Sequence, residues 1–500
     1  MLSSRLSRRN LVRAAGTFAG GSLLTQTFGC RQPAIPSPKK SVSQTDGLPD
    51  YTLTIAAKPV ELAPNRIIST TTYNGQFPGP LLRFQEGKRV TIDIHNETDT
   101  PEQLHWHGQF VSTDVDGSAE EGTPFIPPHG SRRVTFVPRP SGYRFYHTHV
   151  RAGANLGMGQ YTGLVGPVYI EPRVNPGNYD REVFLTLKEF EPTLSRGGDM
   201  AMDFLWPPTT VKDLKDAGET AMNASLAKGT PHGFEVGYGS FTINGRMLGN
   251  GDPIRVKQGE RVLFHVLNGS ATEIRSLALP GHTFTVVAMD GNPIPKPVNV
   301  PGLWLGTAER VSAIVEMNHP GIWTMGDTSN DDRQHGMGIV VEYAGQKGKP
   351  RWAAPAPFHW DYAQFGNRDV AVQEPDEVIE MIFAKQNAAD IGFNRWAING
   401  VAFAEDQMHP MFRVKQGNRY RLRMRNASDD IHPIHLHRHS FELTRVGGRP
   451  TRGVIKDVVM VGGYQAVEVD FVADNPGLTL FHCHQQLHMD FGFMALFEYV

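Results

Sequence analysis

Ile243–Ser270 reads INGRMLGNGDPIRVKQGERVLFHVLNGS, and its pattern occurs three times in the chain. An Asn-Gly pair opens it, a Gln-Gly turn follows (Gln-x-Gly in the first copy), and an alternating run closes near an asparagine. Tyr73–Thr98 (YNGQFPGPLLRFQEGKRVTIDIHNET) and Ile398–Ser428 (INGVAFAEDQMHPMFRVKQGNRYRLRMRNAS) carry the same features. Asn-Gly is a tight-turn signal because both residues accept the positive φ that a sharp reversal needs. The alternation that follows has the period of a strand, not of a helix.

A second shared signature lies downstream. PSGYRFYHTH, HPGIWTMGDT and NPGLTLFHCH each start a short strand at a glycine: Gly142, Gly321 and Gly477. Each is followed by a last strand, GLVGPVYIE, GMGIVVEY or GFMALFEY. The body is therefore expected to be all-β, with three tandem Greek-key sandwiches built from antiparallel strands. The expected boundaries are 46–173, 174–346 and 347–500. Residues 191–238 have no counterpart in the other copies and read as an insertion carrying a helix over VKDLKDAGETAMNASLAKG.

Composition agrees with a globular all-β chain. Gly (52) and Pro (36) are plentiful, and 49 Lys+Arg nearly cancel 51 Asp+Glu, which gives no basic excess of the kind nucleic acid attracts. Residues 1–45 read as a leader and tether. Arg8 and Arg9 form a twin-arginine pair before a modestly apolar, Gly-containing stretch, too short to span a bilayer permanently. Export by the twin-arginine route and a periplasmic or extracytoplasmic location are expected. A lipoprotein-type cleavage would fall before Cys30, although Thr27 is a poor fit for the aliphatic residue such sites prefer.

The 20 histidines are not scattered. Random placement predicts about 0.8 His-x-His pairs, a baseline for metal-type clustering; the chain has five, at His105/His107, His147/His149, His435/His437, His437/His439 and His482/His484. On a strand each pair presents two imidazoles to one face. The pairs occur in the first and third repeats only, and the matching end of the second repeat reads TMGDT. The fold itself does not require them.

Cys483 is the only cysteine beyond the leader, and it sits between His482 and His484. Alternation sends its sulfur to one face and both imidazoles to the other. With His432 and His488, Cys483 supplies the His₂Cys set of a blue-copper electron-transfer centre. On the far face, His482 and His484 can join His105, His107, His147, His149, His435 and His437, eight imidazoles that suit three coppers. A closed zinc site would need only four ligands.

The motifs LHWHG, FYHTH, HPIHLH and HCHQQLH resemble the multicopper oxidases, in particular the three-domain laccase-like group, over residues 50–500. The resemblance implies three cupredoxin-like domains and four coppers per chain. It implies a type 1 copper on His432, Cys483 and His488, and a type 2 copper on His105 and His435. His107, His147, His149, His437, His482 and His484 would hold the type 3 pair. Asp116, in DVDGS, matches the family's acidic residue near the type 2 copper and is expected to supply protons. Its alternative is an Asp-Gly turn. Asp490, close to His488, is a weaker candidate for the same role, with a surface or capping place as its alternative. Two departures stand out: Arg438 replaces the glycine many members have after HLH, and Phe493 replaces the frequent axial methionine. Phe493 is taken as the axial neighbour, which should raise the type 1 potential; Met494 takes the place if the backbone shifts by one residue.

The function implied is an enzyme that takes single electrons from a phenol or aromatic amine and reduces dioxygen to water. One alternative is a metallo-oxidase of cuprous or ferrous ions. Another is a periplasmic scaffold without catalysis, which should have lost ligands, whereas all ten histidines and Cys483 remain.

Overall fold

The computed structural model describes residues 47–173, 178–195, 233–367, 369, 373–404 and 409–500. The leader, Cys30 and the expected helix of the insertion lie outside them. Among the described residues no helix is long and apolar enough to cross a membrane; three short α-helices and two 3₁₀ turns accompany a body of strands.

The turn motif has the same structure in all three repeats. Asn74-Gly75, Asn244-Gly245 and Asn399-Gly400 all have φ between +50° and +80°, the conformation of a primed tight turn. Each asparagine side chain also bridges back to the preceding strand. Asn74 accepts from Thr54 N and donates to Thr52 O; Asn244 does so with Thr186 and Phe184, and Asn399 with Ile382 and Glu380. The closing asparagines Asn96, Asn268 and Asn426 likewise donate to the carbonyls of Ile126, Leu305 and Val461. The repeated sequence therefore encodes the repeated backbone.

Each repeat opens with a long hairpin: Tyr51–Ala63 with Arg66–Tyr73, Arg181–Ser195 with Glu235–Ile243, and Glu377–Asp390 with Phe393–Ile398. In the second repeat the ladder extends to Ser195 opposite Glu235, so both described ends of the 191–238 segment are paired strand. In the first repeat this hairpin joins Val90–Asn96 and Ser131–Phe136 in one sheet. A second sheet runs Leu82–Gln85, Val165–Glu171, Gly142–His147, His105–His107. Leu53, Ile55 and Ile92 from the first sheet meet Phe84, Trp106 and Val168 from the second in one core, each apolar side chain contributing about 1.5–3 kcal/mol relative to exposure.

The sheets are mixed rather than purely antiparallel. Tyr51–Ala63 pairs Val90–Asn96 in parallel, as do Arg181–Ser195 with Arg261–Asn268 and Glu377–Asp390 with Arg419–Asn426. In each repeat the strand after the Asn-Gly turn leaves this sheet for the other, and a crossover returns the chain beside its first strand in the same direction, which a hairpin cannot do.

Candidate metal centre

Strand register divides the third repeat's ligands. Thr479–Cys483 pairs His432–Leu436 with Cys483 opposite Ile434 and His482 opposite His435. Directly opposite residues share a face. Cys483, Ile434 and therefore His432 face one side, and His482 and His435 face the other. The short helix Gln486–Asp490 then returns His488 beside Cys483.

At the first site His432 Nδ1, His488 Nδ1 and Cys483 Sγ form a triangle with sides of 3.2, 3.5 and 3.7 Å. Its centre lies about 2.0 Å from each corner, close to ordinary metal–nitrogen and metal–sulfur bond lengths. All three residues are buried. Burial pushes the Cys483 thiol well up and both imidazoles well down, so the rings are neutral ligands and a metal would have to displace the thiol proton. Ser428 Oγ lies 2.9 Å from His432 Nε2 and fixes that ring. Trp396 packs over both imidazoles at 4.8 and 4.1 Å. The Phe493 ring lies 4.7 Å from that of His432. Met494, the alternative axial residue, instead packs with Leu480, Met489 and Leu496, because consecutive strand residues point to opposite faces.

Across the strand, eight imidazoles converge between the first and third repeats. The ligand atoms of His107, His147 and His484 lie within 4.8 Å of one another, as do those of His149, His437 and His482, and those of His105, His107 and His435. His105 reaches this place because His105–His107 pairs Gly142–His147 with His105 opposite His147. Most rings are anchored by one nitrogen. His105 Nδ1 and His437 Nδ1 bond Asp116 Oδ2 at 3.0 and 2.9 Å, and His435 Nδ1 bonds the Asp457 carbonyl at 2.6 Å. His147 and His482 bond the Thr148 and Cys483 carbonyls. His105 Nε2, His435 Nε2 and both nitrogens of His149 and His484 are buried with no hydrogen-bond partner. Unsatisfied buried nitrogens converging on one space, with the opposite nitrogens of His105 and His435 held, are what a polynuclear metal site presents. The pair His437/His439 does not act together: Arg438 takes φ +58°, breaking the alternation, and His439 turns to the Tyr499 hydroxyl.

The structure brings all eleven sequence-derived ligands to these two sites, and it adds carboxylates that the sequence did not mark. Glu121 lies 3.6 Å from His437 and 3.3 Å from the Arg438 guanidinium. Burial and the neighbouring Asp116 push Glu121 well up; Asp116, although buried, is held below the usual carboxylate range by His105 and Arg438. Arg438 thus occupies the place of the missing glycine as a buried partner of Glu121. Asp457 appears in no motif, yet touches His107 at 3.1 Å. Its signal was a Lys-Asp pair set between the apolar runs Val454-Ile455 and Val458–Val461. Asp490 is buried and not on the surface. It accepts the backbone N–H groups of Ala152 and Gly153 at 2.9 and 2.7 Å, tying the His488 helix to the loop after FYHTH. Beside that helix lies a cavity of about 580 Å³ bordered by Arg151, Asp390, Arg395, Phe403 and Phe491.

Three family models described as multicopper oxidase match residues 54–175, 208–344 and 380–500. Multicopper oxidase MmcO of Mycobacterium tuberculosis is 27% identical over 494 residues, covering 97% of this chain and 92% of its own. Laccase-2 of Fomitopsis schrenkii is 25% identical over 540 residues, covering 95% and 94%. The solved multi-copper oxidase from Pseudomonas thermotolerans is 25% identical with a TM-score of 0.67, covering 90% of this chain and 98% of that one.

Proposed function

Because the chain belongs to the multicopper oxidases, with three cupredoxin-like domains, we propose that its two histidine sites hold four coppers and that it oxidises phenols or aromatic amines. Copper-dependent oxidation with dioxygen as acceptor is the family's chemistry. We assign the type 1 copper to His432, Cys483 and His488, and the type 2 copper to His105 and His435. The type 3 pair falls to His107, His147 and His484 and to His149, His437 and His482. When bound, four coppers supply storage for the four electrons that dioxygen needs to become two waters.

The chain's own residues do the rest. Cys483 is covalently joined to His482 and His484, and His482 Nδ1 lies 2.8 Å from the Cys483 carbonyl, so backbone and hydrogen bond link the two sites over one peptide unit. Asp116 holds His105 and His437 through their outer nitrogens. Asp116 and Glu121 both lie against His437, at 2.9 and 3.6 Å, and this pair of buried carboxyl groups supports a proton-delivery role for Asp116 beside dioxygen's site. The cavity beside the His488 helix supports an organic donor: it has room for one aromatic ring system and is bordered by Phe403 and Phe491.

The observation that carries this reading is the split of one strand, with the Cys483 sulfur in one triangle and the flanking imidazoles in the other cluster. Cys483→Ser should abolish blue absorption and turnover while the protein stays folded; retained oxidase activity would contradict it. Turnover on a bulky phenol compared with ferrous and cuprous ions decides the donor, and a preference for the ions would replace the phenol reading. We propose further that residues 1–45 direct twin-arginine export, with Cys30 a candidate for lipid attachment. Arg8→Lys with Arg9→Lys should leave the enzyme in the cytoplasmic fraction, and unchanged fractionation would refute the route.

A further inference from the structure

The second domain contributes no residue to any metal-ligating group among the described residues, yet it sends charged side chains to the centre of the molecule. Arg310 opens the strand Arg310–Glu316, and Asp290 follows Phe284–Met289; both are fully buried. Arg310 Nη1 and Nη2 donate to Asp457 Oδ1 and Oδ2 of the third domain at 2.7 and 2.6 Å. Asp290 grips the same residue from the main chain. Its Oδ2 accepts from Asp457 N at 3.3 Å and Val458 N at 3.1 Å, and from Lys456 Nζ at 2.8 Å. Arg144 of the first domain adds a bond of 3.2 Å to Asp457 Oδ2, and Lys456 pairs with Glu309 at 3.0 Å. Three cations (Arg144, Arg310, Lys456) thus meet three acids (Asp290, Glu309, Asp457), the balance that burial of charge demands.

Asp457 faces the histidine cluster from this clamp. Its Oδ1 accepts from His107 Nε2 at 3.1 Å, which leaves His107 Nδ1 to face His147 Nε2 at 3.4 Å. Its carbonyl accepts from His435 Nδ1 at 2.6 Å, which leaves His435 Nε2 without a partner. The nitrogen that is hydrogen-bonded decides which nitrogen is offered to a metal. One residue therefore sets a ring from the first domain and a ring from the third. The glycine of LHWHG makes room for it. Gly108 has φ +74°, and a Cβ there would meet Asp457 Oδ2 at 2.5 Å and Arg310 Nη2 at 2.8 Å.

We propose that Arg310 and Asp290 are positioning residues of the trinuclear centre: they hold Asp457, and Asp457 holds His107 and His435 with their metal-facing nitrogens inward. The proposal rests on the copper assignment above, and it gives the ligand-free domain a part in the site.

The competing role is domain cohesion alone, and copper spectroscopy separates the two. Holoenzyme carrying Arg310→Gln, and separately Asp290→Asn, is compared with wild type for copper per chain, type 2 electron paramagnetic resonance, blue absorption and release of copper to a chelator. Both variants should keep the blue absorption while the type 2 signal is altered and trinuclear copper is released about 10- to 100-fold more readily, the usual effect of losing an outer partner of a metal ligand. Arg310→Lys keeps the charge without the paired bonds and should recover only part of the type 2 signal. An unchanged type 2 signal with wild-type copper retention in both variants would overturn the proposal. So would parallel loss of blue and type 2 signals in both, or full recovery by Arg310→Lys, since those are what cohesion alone predicts. A wild-type protein lacking both signals would sink the copper assignment and the clamp's role with it.

Discussion

Phe493 lies against His432 in the first site, with its ring also packed on Phe383 and Trp396, and its side chain has no atom that can donate to a metal. Replacing it with methionine should supply a weak axial thioether and lower the reduction potential; a redox titration giving an unchanged potential would contradict the axial placement. Glu102 makes a different prediction. It lies behind the FYHTH motif, where Thr148 Oγ1 donates to it at 3.0 Å. Burial pushes its carboxyl up from 4.5 to about 7, against the opposing bonds from Thr148 and Gln103. The folded protein therefore holds this proton more tightly than the unfolded chain. The stabilisation is fully present below pH 4.5 and is lost as pH rises through 7. Glu102→Gln cannot ionise, so between pH 4.5 and 8 its stability should gain on wild type by up to about 3 kcal/mol. Denaturant unfolding at several pH values measures this, and parallel profiles would contradict it. Eight of the candidate ligands were readable because paired histidines on strands are rare, and Cys483 because it stands alone beyond the leader. Asp457, Glu121 and Glu102 were not, since a lone acid carries no spacing and becomes significant only when distant strands bring it to a metal ligand.

At the scale of elements, the repeated Asn-Gly turns were legible because positive φ restricts which residues fit, and the matching backbone in all three repeats follows from that. Asn244→Ala removes two side-chain bonds to Thr186 and Phe184 and puts alanine at φ +53°. The expected cost is about 2 kcal/mol of stability, read as a lower denaturation midpoint with unchanged blue absorption; a neutral effect would contradict the turn's role. The parallel ladders were less legible, because alternation reports which face a residue occupies but not which neighbour its strand pairs with. The insertion was legible as extra sequence, whereas the pairing of its two described ends depended on the register of Ser195 with Glu235.

At the scale of the molecule, the threefold pattern described the architecture, and the absence of histidine pairs from the second repeat separated fold from chemistry. What the pattern could not convey is how the copies bind one another. Asp490 ties the third domain to the loop after FYHTH, and the Arg310–Asp457 pair ties the second domain to the histidine cluster. Both contacts use residues outside the repeated motifs, joined across different repeats. Two distinct metal centres are served by the one strand Thr479–Cys483 in the proposed chemistry. Anomalous diffraction from crystals of the copper-loaded protein, measured at the copper absorption edge, tests this most directly. It should show one peak inside the triangle of His432, Cys483 and His488, and three among the eight imidazoles on the far side of the strand. A map without a peak at Cys483, or with its peaks away from these histidines, would contradict the account.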